Sequence, residues 1–181
     1  MGMVVNHENQ VAAANDVITA LSAEFGEEGL TCELRMHAGG SHQRSYIYID
    51  CPPSIWAIVA ETLSEVHGVD YCSMITGIHW PEKAPDMEWQ VVVHLMRMGV
   101  QNPPSKEGIV LPIISDASIL QGSEMPLEFE VSVAISETRT PSIPSVQHVW
   151  VGADWNEKET WDLVGIDFDL SLIHISEPTR P

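Results

Sequence analysis

The sequence predicts an α+β domain: two helices packed on a mixed sheet of about four to five strands, closed by a short acidic C-terminal helix. Three observations carry this reading. Leu127, Phe129, Val131, Val133 and Ile135 alternate with other residues, the period of a strand with one buried face. Val11, Ala14, Val17, Ile18 and Leu21 recur at helical spacing. The run from Asp154 to Val164 has an acidic start and a glycine, Gly165, just past its end.

Taken in order, the first helix is expected from Val11 to Phe25, with GEEG closing it. Leu30, Cys32, Leu34 and Met36 alternate with polar residues, as do Ser45 to Asp50 more weakly, and HAGGSHQ between them reads as a hairpin-like turn. Pro52, Pro53 and Ser54 set up a second helix from Ile55 to about His67, with Ile55, Ile58, Val59, Leu63 and Val66 facing inward. Tyr71 to His79 and Glu88 to Met98 are two β-rich runs joined by the turn-like PEKAPD. From Gly99 to Met125, NPPSKEG and LQGSEMP are loop-like, and IVLPII between them reads as a short strand or a buried plug. In Leu127 to Ile135, the outward positions are Glu128, Glu130 and Ser132.

The most informative segment is PSVQHVWVGADWNEKETWDLVGIDF, Pro144 to Phe168. Pro141 and Pro144 fix φ and keep their predecessors out of the helical region, which makes a stiff turn. Val146, Val149, Trp150 and Val151 favour an extended stretch on the core. Asp154 is placed to cap the helix, with Glu157 reaching back as in a capping box. Glu157 and Glu159 sit near the positive helix end, worth roughly 0.3–1 kcal/mol each when exposed. The segment reads as a rigid docking element rather than an active site, with Trp150, Trp155 and Trp161 as core and interface anchors.

Composition narrows the function further. A length of 181 residues, 44% of them hydrophobic, suits one domain, taken here as 1–169. With 26 Asp and Glu against 8 Lys and Arg, the net charge of −18 repels phosphate backbones and anionic headgroups. No nucleic-acid partner is therefore expected, and membrane contact is expected only through a partner. Neither a signal peptide nor a 20-residue apolar span is evident. Cys32, Cys51 and Cys72 are sparse and unpaired in sequence, which argues against a disulfide framework or a metal motif. Ser, His and Asp occur without a nucleophile elbow, and no GxGxxG or Walker A pattern offers a nucleotide cradle. His79, His94 and His148 read as structural histidines, and Asp162, Asp167 and Asp169 as capping or solvated carboxylates.

On the residues Pro144, Ser145, Val146, Ala153, Trp155, Glu157, Glu159, Asp162, Leu163, Gly165, Ile166 and Phe168, the segment resembles the signature of the thirty-kilodalton subunit family of respiratory complex I (NADH:quinone oxidoreductase). Two positions depart from the family pattern. Lys158 replaces the usual Arg and loses its planar fork, and Val164 replaces the usual aromatic. Tyr71 to Met98 resembles the family's strand-turn-strand core, the first seventy residues fit only its layout, and against that layout 99–125 looks like an insertion loop between two central strands. Past Phe168 the family pattern stops: Leu170 to Pro181 resembles a translated sequencing adapter, so 170–181 is set aside as a non-native tail.

The resemblance implies a scaffold subunit of the hydrophilic arm, docked against subunits D and B, on the cytoplasmic side of the inner (plasma) membrane. It implies no catalytic, cofactor or metal site in this chain, the FMN and iron–sulfur clusters belonging to partner subunits. Glu157, Glu159 and Asp162 would meet basic groups on a neighbour, while Trp155, Gly165 and Phe168 set the local geometry. Pro144, Ser145, Val146 and Lys158 complete the expected interface and signature set. Two alternatives are the equivalent subunit of a membrane-bound hydrogenase or formate hydrogenlyase, and a free-standing acidic binding protein or hydrolase.

Overall fold

The computed structural model describes residues 6–38, 44–99, 120–136 and 138–169. Most of the expected insertion, part of the first hairpin turn and the tail lie outside the described residues.

The chain opens with α1 (His7–Phe25), four residues before the expected start. Asn6 caps it, its Oδ1 accepting from the amides of Glu8 and Asn9 at 2.9 and 3.3 Å. The HENQ turn has no apolar residue at core spacing, so periodicity alone misses it. Asn9 and Gln10 instead tie the helix to the carbonyls of Leu120 and Pro126. A 3₁₀ turn over Gly26–Glu28 then ends at Gly29, in the left-handed region at φ +93.

Strands β1 (Thr31–Met36) and β2 (Ser45–Asp50) pair antiparallel. Cys32 and Leu34 pack against the core as the alternation requires, but Met36, at the end of an edge strand, is exposed. A 3₁₀ turn over Pro53–Ile55 leads into α2 (Trp56–Glu65). Here the expected inward face is half right. Val59 and Leu63 are buried, whereas Ile58 and Val66 are exposed, and Trp56 takes the core position instead. Trp56, Val59, Ala60 and Leu63 form the stripe at intervals of three and four. Ile58 stands about 200° round the helix from Trp56 at 3.6 residues per turn. The Pro-led turn belongs to a tighter helix and shifts the phase from which the face is counted.

β3 (Tyr71–His79) and β4 (Trp89–Arg97) form the expected antiparallel pair, and β5 (Leu127–Ile135) is the expected alternating strand. The five strands lie in the order β1-β2-β5-β4-β3. Within this sheet only β2 and β5 run parallel, which makes it mixed. Ser132 has the expected outward parity, yet it is buried because Gln90 Nε2 lies over it and donates to its Oγ at 2.7 Å. Ile47, Ile49, Phe129, Val131, Val91 and Val93 face α1 and α2 in one core.

Two further strands, unanticipated from the sequence, flank the third helix. β6 (Ser142–Pro144) and β7 (Asp167–Asp169) pair parallel, with α3 (Ala153–Val164) between them in the chain. Three residues flanked by proline or glycine give no period to read. α3 lies along β3, where Thr160 Oγ1 donates to the Ile75 carbonyl at 3.2 Å. A Cβ on Gly77 would stand 2.8 Å from Ile166 Cδ1, 2.9 Å from Thr160 Cγ2 and 3.3 Å from Val164 Cβ. Gly77 thus sets how closely the helix approaches the sheet. Gly77→Ala is expected to cost about 1–3 kcal/mol by overpacking. Urea denaturation measures it, and an unchanged midpoint would show that α3 moves aside freely.

Candidate functional site

The segment from Pro144 to Phe168 divides into an inward and an outward set. After β6 the chain does not continue extended through Val151, as expected, but turns. The amides of Val149 and Trp150 both bond to the Val146 carbonyl, at 3.0 and 3.1 Å. Val146 and Trp150 are buried by that turn, Trp150 Nε1 donates to the Val69 carbonyl at 2.9 Å, and Val151 is left 92% exposed. α3 then starts at Ala153 behind Gly152, without a side-chain cap. Asp154 sits inside the first turn and holds Lys158 at 2.7 Å.

Glu157 does not close a capping box. It is only 2% exposed. Its carboxylate accepts from Ser145 Oγ at 2.8 Å, from the Val146 amide at 2.8 Å and from Gln147 Nε2 at 2.9 Å. A buried carboxylate satisfied this way fixes the turn to the helix. The expectation that Glu157 reaches a neighbour's basic group is therefore corrected: the residue is turned inward and spent within this chain. Ser145 and Val146 are buried with it, and Phe168 and Val164 pack against the core. Gly165, at φ +87, closes the helix by donating to the Thr160 and Trp161 carbonyls.

The outward set is Trp155, Lys158, Glu159 and Asp162, joined by Trp161 and Leu163. Trp155 is 68% exposed, Trp161 57% and Leu163 83%. Trp155 Nε1 donates to Glu159 Oε1 one turn on, at 2.8 Å, which holds the indole against the helix. Along this face run Val151, Trp155, Glu159 and Leu163 at a spacing of four. Sequence reasoning names the tryptophans but cannot sort inward from outward carboxylates, because both kinds share the helix and the charge.

Elsewhere, groups with chemical potential are engaged internally. Glu128 Oε1 lies 2.8 Å from His94 Nε2, whose other ring nitrogen meets Ser73 Oγ. His37 Nε2 lies 3.0 Å from Glu128 Oε2 but off the line of a good hydrogen bond. Burial alone would raise the Glu128 carboxyl, but the bond to His94 and the charge of His94 and His37 outweigh it and hold it below its ordinary 4.5. A carboxyl lowered on folding contributes stability that is complete above its unfolded value and is lost as pH falls through the folded one. Glu128→Gln is therefore expected to flatten the loss of stability on acidification below pH 4.5. Urea midpoints measured against pH check this, and parallel curves would refute it.

Burial pushes the Cys51 thiol up to about 12 and those of Cys32 and Cys72 to about 11, so all three are poor nucleophiles at neutral pH. Among the described residues no three His, Cys, Asp or Glu side chains are grouped to hold a metal ion, and no helix is long and apolar enough to cross a membrane. A cleft of about 640 Å³ between α1, α2 and the end of β4 is walled by Asp16, Glu65 and Glu124. Arg97, which also lines it, is buried and committed to backbone carbonyls.

The chain is 45% identical over 42 residues to NAD(P)H-quinone oxidoreductase subunit J of Synechococcus sp. (strain CC9902), a stretch that is 23% of this chain and 22% of that relative's length. It is 26% identical over 124 residues to the chloroplastic subunit J of Illicium oligandrum, spanning 64% of this chain and 75% of the relative. Among solved structures it shares the fold of Nqo5 of the trypsin-resistant fragment (1-134) in P63 form. That match has a TM-score of 0.50 and 21% identity, and it covers 83% of this chain and 94% of the other. The profile of the respiratory-chain NADH dehydrogenase, 30 Kd subunit, matches residues 49–171, a span that runs from the end of β2 past the whole clasped segment, and the chain belongs to that family.

Proposed function

We propose that this chain is a non-catalytic scaffold subunit of the hydrophilic arm of a proton-translocating NADH:quinone oxidoreductase. It docks against subunits D and B, on the cytoplasmic face of the membrane, and reaches the membrane only through them. FMN and the iron–sulfur clusters are carried by partner subunits, and electron transfer from NADH to quinone is a property of the assembly.

The observation that carries this reading is the outward face of α3. Trp155 stands exposed at its centre, with Leu163 about 80° to one side and Trp161 about 120° to the other, on a helix whose inner face is locked to β3. Glu159 and Asp162 share the face of Trp155 and supply the charge a basic neighbour would meet. Buried Trp side chains at interfaces are typically worth about 2 kcal/mol or more each, roughly thirtyfold in affinity.

The test is the double variant Trp155→Ala/Trp161→Ala. Both side chains are more than half exposed, so the isolated chain is expected to keep its denaturation midpoint. The assembled arm is expected to vanish from native gels of membrane extracts. Normal assembly with both indoles removed would reject the reading. Glu159→Lys is the clean charge reversal on the same face, since reversing Glu157 attacks the fold.

A further inference from the structure

The helices cover one face of the sheet, and among the described residues no helix or strand covers the other, where Gln90, held by Trp80, lies over Ser132. The residues of that open face alternate with the core residues of each strand. One row crosses all five strands side by side: Glu33, Tyr48, Glu130, His94 and Met74. A second row runs through Asp50, Ser132, Val92 and Thr76. Among the described residues no element packs on this face of β2 and β5, whose side chains run from buried Ser132 through half-buried Tyr48 and Glu130 to exposed Asp50.

The composition of the face says what would cover it. A third of the residues in the two rows, Tyr48, Val92 and Met74, present hydrocarbon or ring surface. Its carboxylates are Glu33, Asp50, Glu128 and Glu130. Against them stands the Arg35 guanidinium, which is bonded to Glu33 and lies 3.3 Å over the Tyr48 ring. Glu128 is occupied by two histidines. Glu130 and Asp50 have no hydrogen bond or ion pair among the described residues, and Glu130 stands between Tyr48 and His94.

Most of the surrounding side chains are already fixed. His94 is held by Ser73 and Glu128, and Gln90 by Ser132 and Trp80. Ordering side chains on association costs roughly 0.5–1.5 kcal/mol each, so a face fixed beforehand binds at less cost.

We infer that the open sheet face is a second docking surface, for a protein segment that presents a lysine or arginine to Glu130 within an apolar rim. The negative face disfavours anionic lipid and nucleic acid, and two copies of so acidic a face would repel each other. α3 lies on the helix side of the sheet, so the two surfaces point to opposite sides. The chain is then a bridge held on both sides rather than a cap held on one. This goes beyond the docking of α3, although it takes the assembly as the place where the partner is met.

The test places a photo-reactive benzoylphenylalanine at Val92 in one version of the full chain and at Trp155 in another, in the assembled complex, with crosslinks mapped by mass spectrometry. The expected result is that Val92 captures a segment of another subunit carrying Lys or Arg, distinct from the segment captured from Trp155. Capture from Trp155 with none from Val92 overturns the second surface alone. Capture of a second copy of this chain from Val92 also overturns it. Silence at both positions removes the assembly reading and this one together. As an independent measure, Glu130→Lys is expected to lower recovery of the subunit captured from Val92 about tenfold. Glu27→Lys, the same charge change on the 3₁₀ turn after α1, is expected to leave it unchanged, and equal recovery for the two variants would count against the inference.

Discussion

Glu157→Ala is expected to destabilise the isolated chain by about 3–5 kcal/mol, the largest effect of any single carboxylate among the described residues. Three donors converge on that group at 2.8–2.9 Å, and the residue is 2% exposed. Truncation leaves the Val146 amide and the Ser145 hydroxyl buried without an acceptor. Desolvated donors cost about 1–3 kcal/mol each, and a small void adds to that. Glu157→Gln keeps the shape but turns an amide N–H₂ toward donors, so a smaller loss of about 1.5–3 kcal/mol is expected. Urea denaturation gives both values. Near-UV circular dichroism reports whether Trp150, packed beside the turn, loses its fixed environment. A Glu157→Ala loss below about 1 kcal/mol would show that water replaces the carboxylate and that the turn does not depend on it.

Arg97→Met is expected to cost about 2–4 kcal/mol. The guanidinium lies at the end of β4 and donates to three carbonyls: Met125 at 2.9 Å, Gly122 at 2.9 Å and His67 at 3.3 Å. It joins the segment before β5 to the turn after α2, two pieces that share no strand pairing. Methionine fills the volume but donates nothing. Because the site borders the cleft beside α1, water can reach some of the freed carbonyls, which argues for the middle of the range rather than its top. Arg97→Lys keeps the charge but satisfies fewer carbonyls, so an intermediate loss is expected. The ordering wild type, lysine, methionine in urea midpoints is the check. Equal midpoints for lysine and arginine would reduce the site to a simple buried charge.

Both residues show where the sequence is legible and where it is not. Strand and helix existence follows from periodicity, most clearly in β5, where the apolar residues alternate over nine positions. Gly165 announces the end of α3 because only glycine reaches φ +87 cheaply. Periodicity misplaces the phase of α2 because a 3₁₀ turn precedes it and Trp56 outranks Ile58 for the core. Glu157 escapes sequence reasoning because a carboxylate in an acidic helix carries no mark of burial. Its partners are one hydroxyl, one amide and one glutamine from a turn ten to twelve residues earlier. Arg97 closes a strand in the sequence and gives no sign of its three carbonyls, which belong to segments remote in the chain.

The parallel pairing of β6 with β7 has a consequence for how this part of the protein can change over time. The two strands bring both ends of the signature to one doorway, with Ser142 beside Asp167 and Pro144 beside Asp169. Everything between them leaves and returns through that doorway. A substitution on the outer side of the loop is thus contained, because only the inner side meets β3. The segment behaves as a cassette, with a hinge plate of fixed dimensions and a face free to follow whatever partner it meets.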